Sequence, residues 1–302
     1  MMHDMKFVVY GIEVHSPVTL PLSALSEGTW DQVLRLRVET LKNQEKTLFA
    51  YQTPTVTIHG RQIQLFSNKA FSLARIARER QWKINIEGLF SFSWSSSSDT
   101  MIIAYEKELH LEKLSFWLLH TVIPIYLMLK QRSILLHASA VEVDSKAILF
   151  IAPSFGGKST LADFFIRQGH RLLSDDKVRL EYNVKDYFVY PSYPYRRPYR
   201  KFETLGEYAE GYSGRMLSFG NIYFLNYVSP EDDCSIELIQ GLKKFEILKT
   251  SYLYEPVSMS KVEMEYLVKL VHHSVLYQVN VPKDLTRLGE VYQAIVDNEG
   301  SR

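Results

Sequence analysis

The segment Ala152–Thr160, with the sequence APSFGGKST, combines two adjacent glycines with a lysine and hydroxyl side chains. Apolar residues at 147–151 predict a β-strand before it, and residues 161–168 predict a helix after it. Consecutive glycines let several backbone N–H groups face one anion, and the helix adds the positive end of its dipole. Lys158 could reach the outer phosphates of a nucleotide, and the Ser159 hydroxyl could bind Mg²⁺. The residues predicted to contact the nucleotide are Ser154, Phe155, Gly156, Gly157, Lys158, Ser159 and Thr160.

One position of this loop departs from the usual pattern. A glycine commonly stands six residues before the lysine, and here that residue is Ala152. The extra methyl group is compatible with the loop if the backbone angle φ is negative, and incompatible if φ must be positive. An ordinary Gly-Gly turn ahead of a helix is the alternative interpretation, but the strand–loop–helix context favours a phosphate-binding loop.

Two adjacent carboxylates, Asp175 and Asp176, follow the predicted helix and the apolar pair Leu172–Leu173. Asp175 stands 16 residues after Ser159. Beside a phosphate loop, one carboxylate could order Mg²⁺ while the other takes the proton of an incoming hydroxyl. A solvated Asp-Asp turn is the alternative. The pair therefore indicates phosphoryl transfer.

The order of HASAV, the glycine loop and GHRLLSDDKV resembles the catalytic core of HPr kinase/phosphorylase and its relatives. This resemblance implies an α/β fold with the P-loop core that the family shares with phosphoenolpyruvate carboxykinase. It also implies ATP and Mg²⁺ as cofactors. The family usually has a small acidic or hydroxyl residue inside the loop, whereas Pro153 and Phe155 occupy part of it here.

The same resemblance assigns roles to individual residues. It implies that Asp175 is the catalytic base, with His137 close to it, and that Lys158 contacts the phosphates. On this hypothesis Ser159 and Asp176 hold Mg²⁺. A purely structural role is the alternative for His137, because a lone histidine before an apolar strand is usually structural.

A proline-rich segment follows the hairpin predicted at 178–190. In the related kinases a Pro-x-x-Pro-x-x-Arg segment directs an arginine towards the active site, and Pro191, Pro194 and Arg197 match that spacing. The resemblance therefore implies that Arg197 offsets charge on the transferred phosphoryl group. Arg196 is the competing candidate, and a basic surface loop is the alternative interpretation.

The acceptor is harder to predict than the reaction. The opening VVYGIEVHSPVTLPLSAL and the proline-rich segment resemble the shorter relatives encoded beside peptide natural products, including lasso-peptide tailoring kinases. This implies a serine kinase acting on a peptide, with the C-terminal serine of a lasso precursor peptide as acceptor. Three alternatives stay open: a bifunctional HPr(Ser) kinase/phosphorylase, a small-molecule kinase, and a nucleotide-binding module without transfer.

Composition argues against several other classes of protein. The chain has 302 residues, of which 46% are hydrophobic and 23% charged, as in globular proteins with a full core. A net charge of +1 provides no field that would favour nucleic acid or an anionic membrane. The single cysteine, Cys234, excludes an internal disulfide, and the opening lacks the pattern of a signal peptide. A cytoplasmic location is therefore expected. The oligomeric state stays open, with a homo-oligomer as one option.

Two domains are predicted. Residues 1–110 form a strand-rich N-terminal domain that is a candidate for peptide recognition, and residues 111–302 form the catalytic domain. The serine-rich stretch 91–98 is predicted to be a loop or sheet edge. Segment 109–131 is predicted to be a buried helix or helix pair rather than a membrane span, because His120 and Pro124 interrupt its apolar run.

Alternating and helical patterns continue to the end of the chain. The predicted strands are 219–227, 236–238 and 274–281, and the predicted helices are 242–250, 261–273 and 284–296. Helix 242–250 is a second candidate for contact with a peptide.

Overall fold

The computed structural model of the chain describes residues 5–22, 30, 32–40, 49–72, 79–130, 133–153, 155–183, 185–196, 203–253 and 259–300. Its fold is a mixed α/β fold with two compact units. The first unit comprises Met1–Ser133, Tyr199–Gly206 and Tyr254–Ser260, and the second comprises Ile134–Pro198, Glu207–Leu253 and Lys261–Arg302. The helical segment after residue 110, predicted to begin the catalytic domain, thus belongs to the first unit by its contacts.

The strands described in the first unit form a single sheet. They are β1 (Met5–Val9), β2 (Ile12–Ser16), β3 (Val33–Thr40), β4 (Tyr51–Gln52), β5 (Val56–Ile58), β6 (Arg61–Ser67), β7 (Gln81–Ile86), β8 (Phe90–Ser95) and β9 (Thr100–Tyr105). Their order across the sheet is β1-β2-β3-β9-β8-β7-β6-β4, and β5 also pairs with β6. The neighbours β2, β3 and β9 run parallel, and the other pairs are antiparallel.

The serine-rich stretch was predicted to be a loop or edge, and that prediction is wrong for its first half. Residues up to Ser95 form β8, which lies between β7 and β9 inside the sheet. Serines alternate there with Phe90, Phe92 and Trp94, whose side chains are all buried. This period of two is the signature of a strand with one buried face, and the high serine content concealed it.

The apolar segment after β9 is helical and buried, as predicted. It consists of α1 (Leu111–Trp117), one π-helical stretch (Leu118–Val122) and α2 (Ile123–Leu129). His120 is 1% exposed, and its ring lies edge-on to His59 and tilted against Phe116. No helix in the described parts of the chain is both long enough and apolar enough to cross a membrane.

The second unit carries the predicted site. Its described strands are β10 (Ile134–Leu136), β11 (Ala138–Val143), β12 (Lys146–Ile151), β13 (Arg171–Ser174), β14 (Val178–Asn183), β15 (Asp186–Tyr190), β16 (Tyr195–Arg196), β17 (Glu207–Tyr208), β18 (Leu217–Val228), β19 (Ser235–Ile239) and β20 (Leu276–Pro282). Its described helices are α3 (Lys158–Arg167), α4 (Gly241–Ser251), α5 (Lys261–His273) and, after a 3₁₀ turn at Leu285–Arg287, α6 (Leu288–Gly300). The strands and helices predicted for this part of the chain are confirmed, with ends shifted by a few residues.

Most of these strands join in a second sheet, of order β10-β14-β15-β18-β12-β11-β13, with β20 beside β18 and β19 beside β20. The strands β12, β18 and β20 run parallel. One face of the sheet packs against α3 and α6, where Phe150 meets Phe165 and Val279 lies in the same cluster as Ile295. This packing fixes where α3 begins relative to the ends of the strands.

We expect Glu203 to stabilise the first unit in a pH-dependent way. Arg61 donates to both of its carboxylate oxygens at 2.9 and 3.1 Å, and Trp117 donates at 3.0 Å. Burial raises the pKa of Glu203, but the hydrogen bonds from Arg61 and Trp117 lower it more, so the pKa lies below its ordinary value. A carboxylate with a depressed pKa stabilises the fold above its unfolded pKa, and this contribution is lost as pH falls through the folded pKa.

The variant Glu203→Gln should therefore lower the free energy of unfolding by about 1–3 kcal/mol at pH 7, the size of a lost charge-assisted hydrogen bond. Urea denaturation at a series of pH values measures this, and the difference from the parent should shrink in the acid range. Glu106→Gln, at an exposed glutamate, is the matched control. A difference that stays constant with pH would contradict the prediction.

Candidate functional site

Strand pairing brings the predicted histidine and carboxylates together. His137 lies between β10 and β11, and Asp175–Asp176 lies between β13 and β14. Strand β10 pairs with β14, and β11 pairs with β13, both antiparallel. The two connections must therefore lie at the same corner of the sheet, although 38 residues of sequence separate His137 from Asp175.

Asp175 lies at the centre of this corner and is 4% exposed. Its Oδ1 atom accepts a hydrogen bond from the Ser159 hydroxyl at 2.9 Å, and Ser159 belongs to the first turn of α3. The same atom accepts one from the Ser139 hydroxyl, on β11, at 2.7 Å. Asp175 thus links the start of the helix to the sheet through two hydroxyl groups.

Asp176 has a different set of partners. Its Oδ1 atom lies 3.3 Å from Nδ1 of His137, which is also 3.0 Å from the Asp176 backbone oxygen. The Lys177 ammonium lies 3.1 Å from the second carboxylate oxygen. Asp176 is also in the left-handed region, with φ of 74°, and aspartate tolerates that conformation better than most residues.

These contacts differ from the predicted pairing. The sequence hypothesis joined Ser159 with Asp176 as magnesium ligands and placed His137 beside Asp175. In the structure Ser159 bonds to Asp175, and His137 contacts Asp176. The chain bends at Asp175–Asp176, with Asp176 in the left-handed conformation, so the two adjacent carboxylates point towards different partners.

Each of the two glycines in the loop stands where a side chain would clash, and the clashing groups differ between them. A Cβ atom at Gly156 would lie 2.6 Å from the Cβ atom of Ala152 and 2.8 Å from the Pro153 oxygen. Gly157, which caps α3, has φ of 70° and lies against the ring of Tyr227. Ala152 itself does not adopt positive φ, so its methyl group is compatible with the loop.

Lys158 begins α3 and is 5% exposed. Its ammonium donates to the backbone oxygens of Ala152 at 3.0 Å and Pro153 at 3.3 Å, so it lies folded over its own loop. The first N–H groups of a helix have no acceptor within the helix. The first turn of α3 therefore offers backbone donors and an ammonium at the same end, with the hydroxyl of Ser159 beside them.

The remaining predicted residues contribute unequally. Thr160 lies in the first turn of α3 and is exposed. Arg196, the competing arginine, forms an ion pair with Asp163 of α3 and lies 3.7 Å from Glu207. The predicted residues Ser154 and Arg197 lie outside the described residues.

Ser139 is a residue of this site that the sequence reasoning missed. It is fully buried on β11, and its hydroxyl donates to Asp175. The signal was available in the sequence, because Ser139 is a polar residue between the alanines of an otherwise apolar run. A buried hydroxyl needs a partner, and the nearby Asp-Asp pair supplies an acceptor.

Two oxygen atoms at this corner could serve as ligands for a magnesium ion. No group of three or more His, Cys, Asp or Glu side chains within the described residues could hold a metal ion. Magnesium in nucleotide sites is typically held by one or two side chains together with phosphate oxygens and water. Ser159 and Asp175 supply two adjacent oxygen atoms of that kind.

Phe155 lowers the stability of the folded protein. Its backbone is in the left-handed conformation, with φ of 62°, and its side chain, which is 85% exposed, gains little from packing. We expect Phe155→Gly to be more stable than Phe155→Ala by about 1 kcal/mol, since the left-handed conformation costs a residue with a Cβ roughly 1–2 kcal/mol. Both variants remove the ring, so their difference in thermal unfolding isolates the backbone. Equal stability of the two variants would show that the left-handed conformation is not maintained in solution.

Comparison with solved structures finds 49 matching chains. One of them is the Hpr(Ser) kinase/phosphatase from Coxiella burnetii, which is 12% identical, with 55% of this chain and 97% of that chain covered and a TM-score of 0.35. At this score the match carries no weight for the site or its chemistry. No protein-family model matches the chain, and a search of the curated proteins likewise finds no match.

Proposed function

We propose that this chain is an ATP- and Mg²⁺-dependent serine kinase with a peptide as its acceptor. One observation carries the proposal. The Ser159 hydroxyl, in the first turn of the helix after the glycine loop, lies 2.9 Å from the Asp175 carboxylate. The proposed phosphate-binding loop and the acidic pair are therefore adjacent, which supports a site for phosphoryl transfer.

The loop and α3 would hold the nucleotide. Gly156 and Gly157 permit the tight backbone path, and the helix N-terminus favours a bound anion. The buried ammonium of Lys158 hydrogen bonds to neutral carbonyl oxygens of its own loop. A phosphate oxygen would be a stronger partner for that charge, because hydrogen bonds between ionised groups are the shorter and stronger ones.

Ser159 and Asp175 fit the requirements of a magnesium ion. Oxygen ligands lie about 2.0–2.1 Å from octahedral Mg²⁺, so neighbouring ligands are roughly 2.9 Å apart. The hydroxyl and carboxylate oxygens of this pair already have that separation. When bound, ATP supplies the phosphoryl group and Mg²⁺ neutralises part of its charge.

Asp176 with His137 is the better placed pair for the acceptor proton. The Asp176 side chain is 26% exposed, whereas Asp175 is buried and accepts from two hydroxyl groups. His137 orients the Asp176 carboxylate and could share the proton that it takes. We therefore propose roles for the two aspartates that are the reverse of those that the family resemblance implies.

The acceptor is proposed from the motif resemblance alone. We propose a serine hydroxyl of a peptide, and more narrowly the C-terminal serine of a lasso precursor peptide. The first unit and helix α4 are the proposed contacts for that peptide. A cytoplasmic location belongs to the same proposal, and the oligomeric state stays open.

Two matched variants test the roles of the aspartates. We expect Asp176→Asn to reduce phosphoryl transfer by about 10²–10⁴-fold, the usual contribution of a general base, while MgATP binding is retained. Asp175→Asn should instead raise the Mg²⁺ concentration needed for activity, so that excess Mg²⁺ restores part of the rate. Asp186→Asn, at the exposed first residue of β15, is the control. The reverse result, with rescue by Mg²⁺ only for Asp176→Asn, would restore the roles that the sequence implied.

The class of acceptor can be tested with labelled ATP. We expect phosphate on a peptide ending in serine and none on the same peptide ending in alanine, as read by mass spectrometry. ATP bound without any labelled product would indicate a nucleotide-binding module. Release of phosphate from phosphorylated HPr on addition of inorganic phosphate would indicate a kinase/phosphorylase, and a labelled sugar or free serine would indicate a small-molecule kinase.

A further inference from the structure

Tyr227 lies beside the glycine loop because of a difference in strand length. Strand β12 ends at Ile151, opposite Phe224 of the parallel strand β18. Strand β18 continues to Val228 and remains paired with β20 on its other side, where Tyr227 lies opposite Val281. The loop that leaves β12 therefore runs past the last residues of β18. Ligands of open α/β sheets bind at this carboxyl edge of parallel strands.

The phenol of Tyr227 occupies the space that a side chain at Gly157 would need. A Cβ atom at Gly157 would lie 3.1 Å from Cζ of Tyr227 and closer still to the hydroxyl oxygen. Gly157 immediately precedes Lys158 and caps α3. The Tyr227 hydroxyl is thus a side-chain donor at the same place as the first backbone N–H groups of the helix.

That hydroxyl is suited to donate a hydrogen bond to a ligand. Tyr227 is 38% exposed, and no hydrogen bond of its hydroxyl is found within the described residues. Burial of the ring raises the pKa of Tyr227, so the phenol keeps its proton at neutral pH. Tyr223, four residues earlier on the same face of β18, instead donates a hydrogen bond to a carboxylate oxygen of Glu299.

We propose that the Tyr227 hydroxyl donates a hydrogen bond to a phosphate oxygen of the nucleotide held between β12 and α3. This inference rests on the proposed function and adds a contact from a neighbouring strand to the loop. The loop supplies backbone donors and Lys158 supplies the charge. Tyr227 supplies a neutral donor whose position is fixed by the sheet, so it would hold the phosphate chain at one orientation over Gly157.

The variant Tyr227→Phe removes the hydroxyl and keeps the ring that packs on Gly157. We expect its dissociation constants for MgATP and for inorganic pyrophosphate to rise about tenfold, as for a lost hydrogen bond to a charged group. Calorimetry measures both constants. Tyr182→Phe is the control, because Tyr182 lies at the far end of β14 and contacts His273. The melting temperature of each variant without ligand reports any loss of loop packing.

Each outcome decides the proposal. Unchanged affinity of Tyr227→Phe, or tighter binding, would overturn it, since the hydroxyl would then brace or block the loop. Weaker binding of MgATP with unchanged binding of pyrophosphate would also overturn it, because the contact would be to the nucleoside. If the parent protein binds neither ligand, the proposed function fails and this contact fails with it. If the parent binds both and Tyr227→Phe binds equally, only the Tyr227 contact fails.

Discussion

The contact between Ser159 and Asp175 is the constraint on which the rest of the site depends. The loop leaves β12, whereas the aspartates follow β13, and β11 lies between these two strands. Neighbouring strands are about 4.8 Å apart, so the two elements start roughly 10 Å from each other. Helix α3 closes that distance because it packs across β11, β12 and β13. Its first turn then reaches Asp175, which Ser139 holds from the intervening strand.

Backbone conformation imposes a second constraint. Phe155, Gly157 and Asp176 all have positive φ, and they lie in the loop and the turn that meet at this corner. Glycine adopts this conformation freely and aspartate tolerates it, but for an aromatic residue positive φ costs roughly 1–3 kcal/mol of conformational free energy. Cost of this kind is characteristic of residues whose position matters for function. The turn at Asp176 also lets its backbone oxygen and its carboxylate meet His137 together.

Local pattern was enough to predict the elements but not their partners. The strand, glycine loop and helix at 147–168 follow from apolar periodicity and from two glycines, which act over a few residues. The choice between Asp175 and Asp176 as the partner of Ser159 depends on the pairing of β11 with β13, a contact between residues distant in sequence. The high serine content of β8 led to the wrong prediction of a loop or sheet edge. Aromatic residues alternate with serine there, and this strand pattern outweighs the tendency of serine to lie in loops. The contact-based units also divide the chain after Ser133 rather than at residue 110, because contacts between distant residues cannot be read from local sequence.

Two side chains that would meet a nucleotide, Lys158 and Ser159, already have hydrogen-bond partners within the protein. Lys158 donates to carbonyl oxygens of its loop, and Ser159 donates to Asp175. For these two side chains, binding must therefore exchange hydrogen bonds rather than add new ones, and the net gain per exchanged bond is small. The gain that remains is electrostatic, since a buried ammonium and a helix N-terminus trade neutral partners for an anion. If the proposed function is correct, such a site would discriminate by charge and would favour a triphosphate with its metal over an uncharged ligand of the same shape.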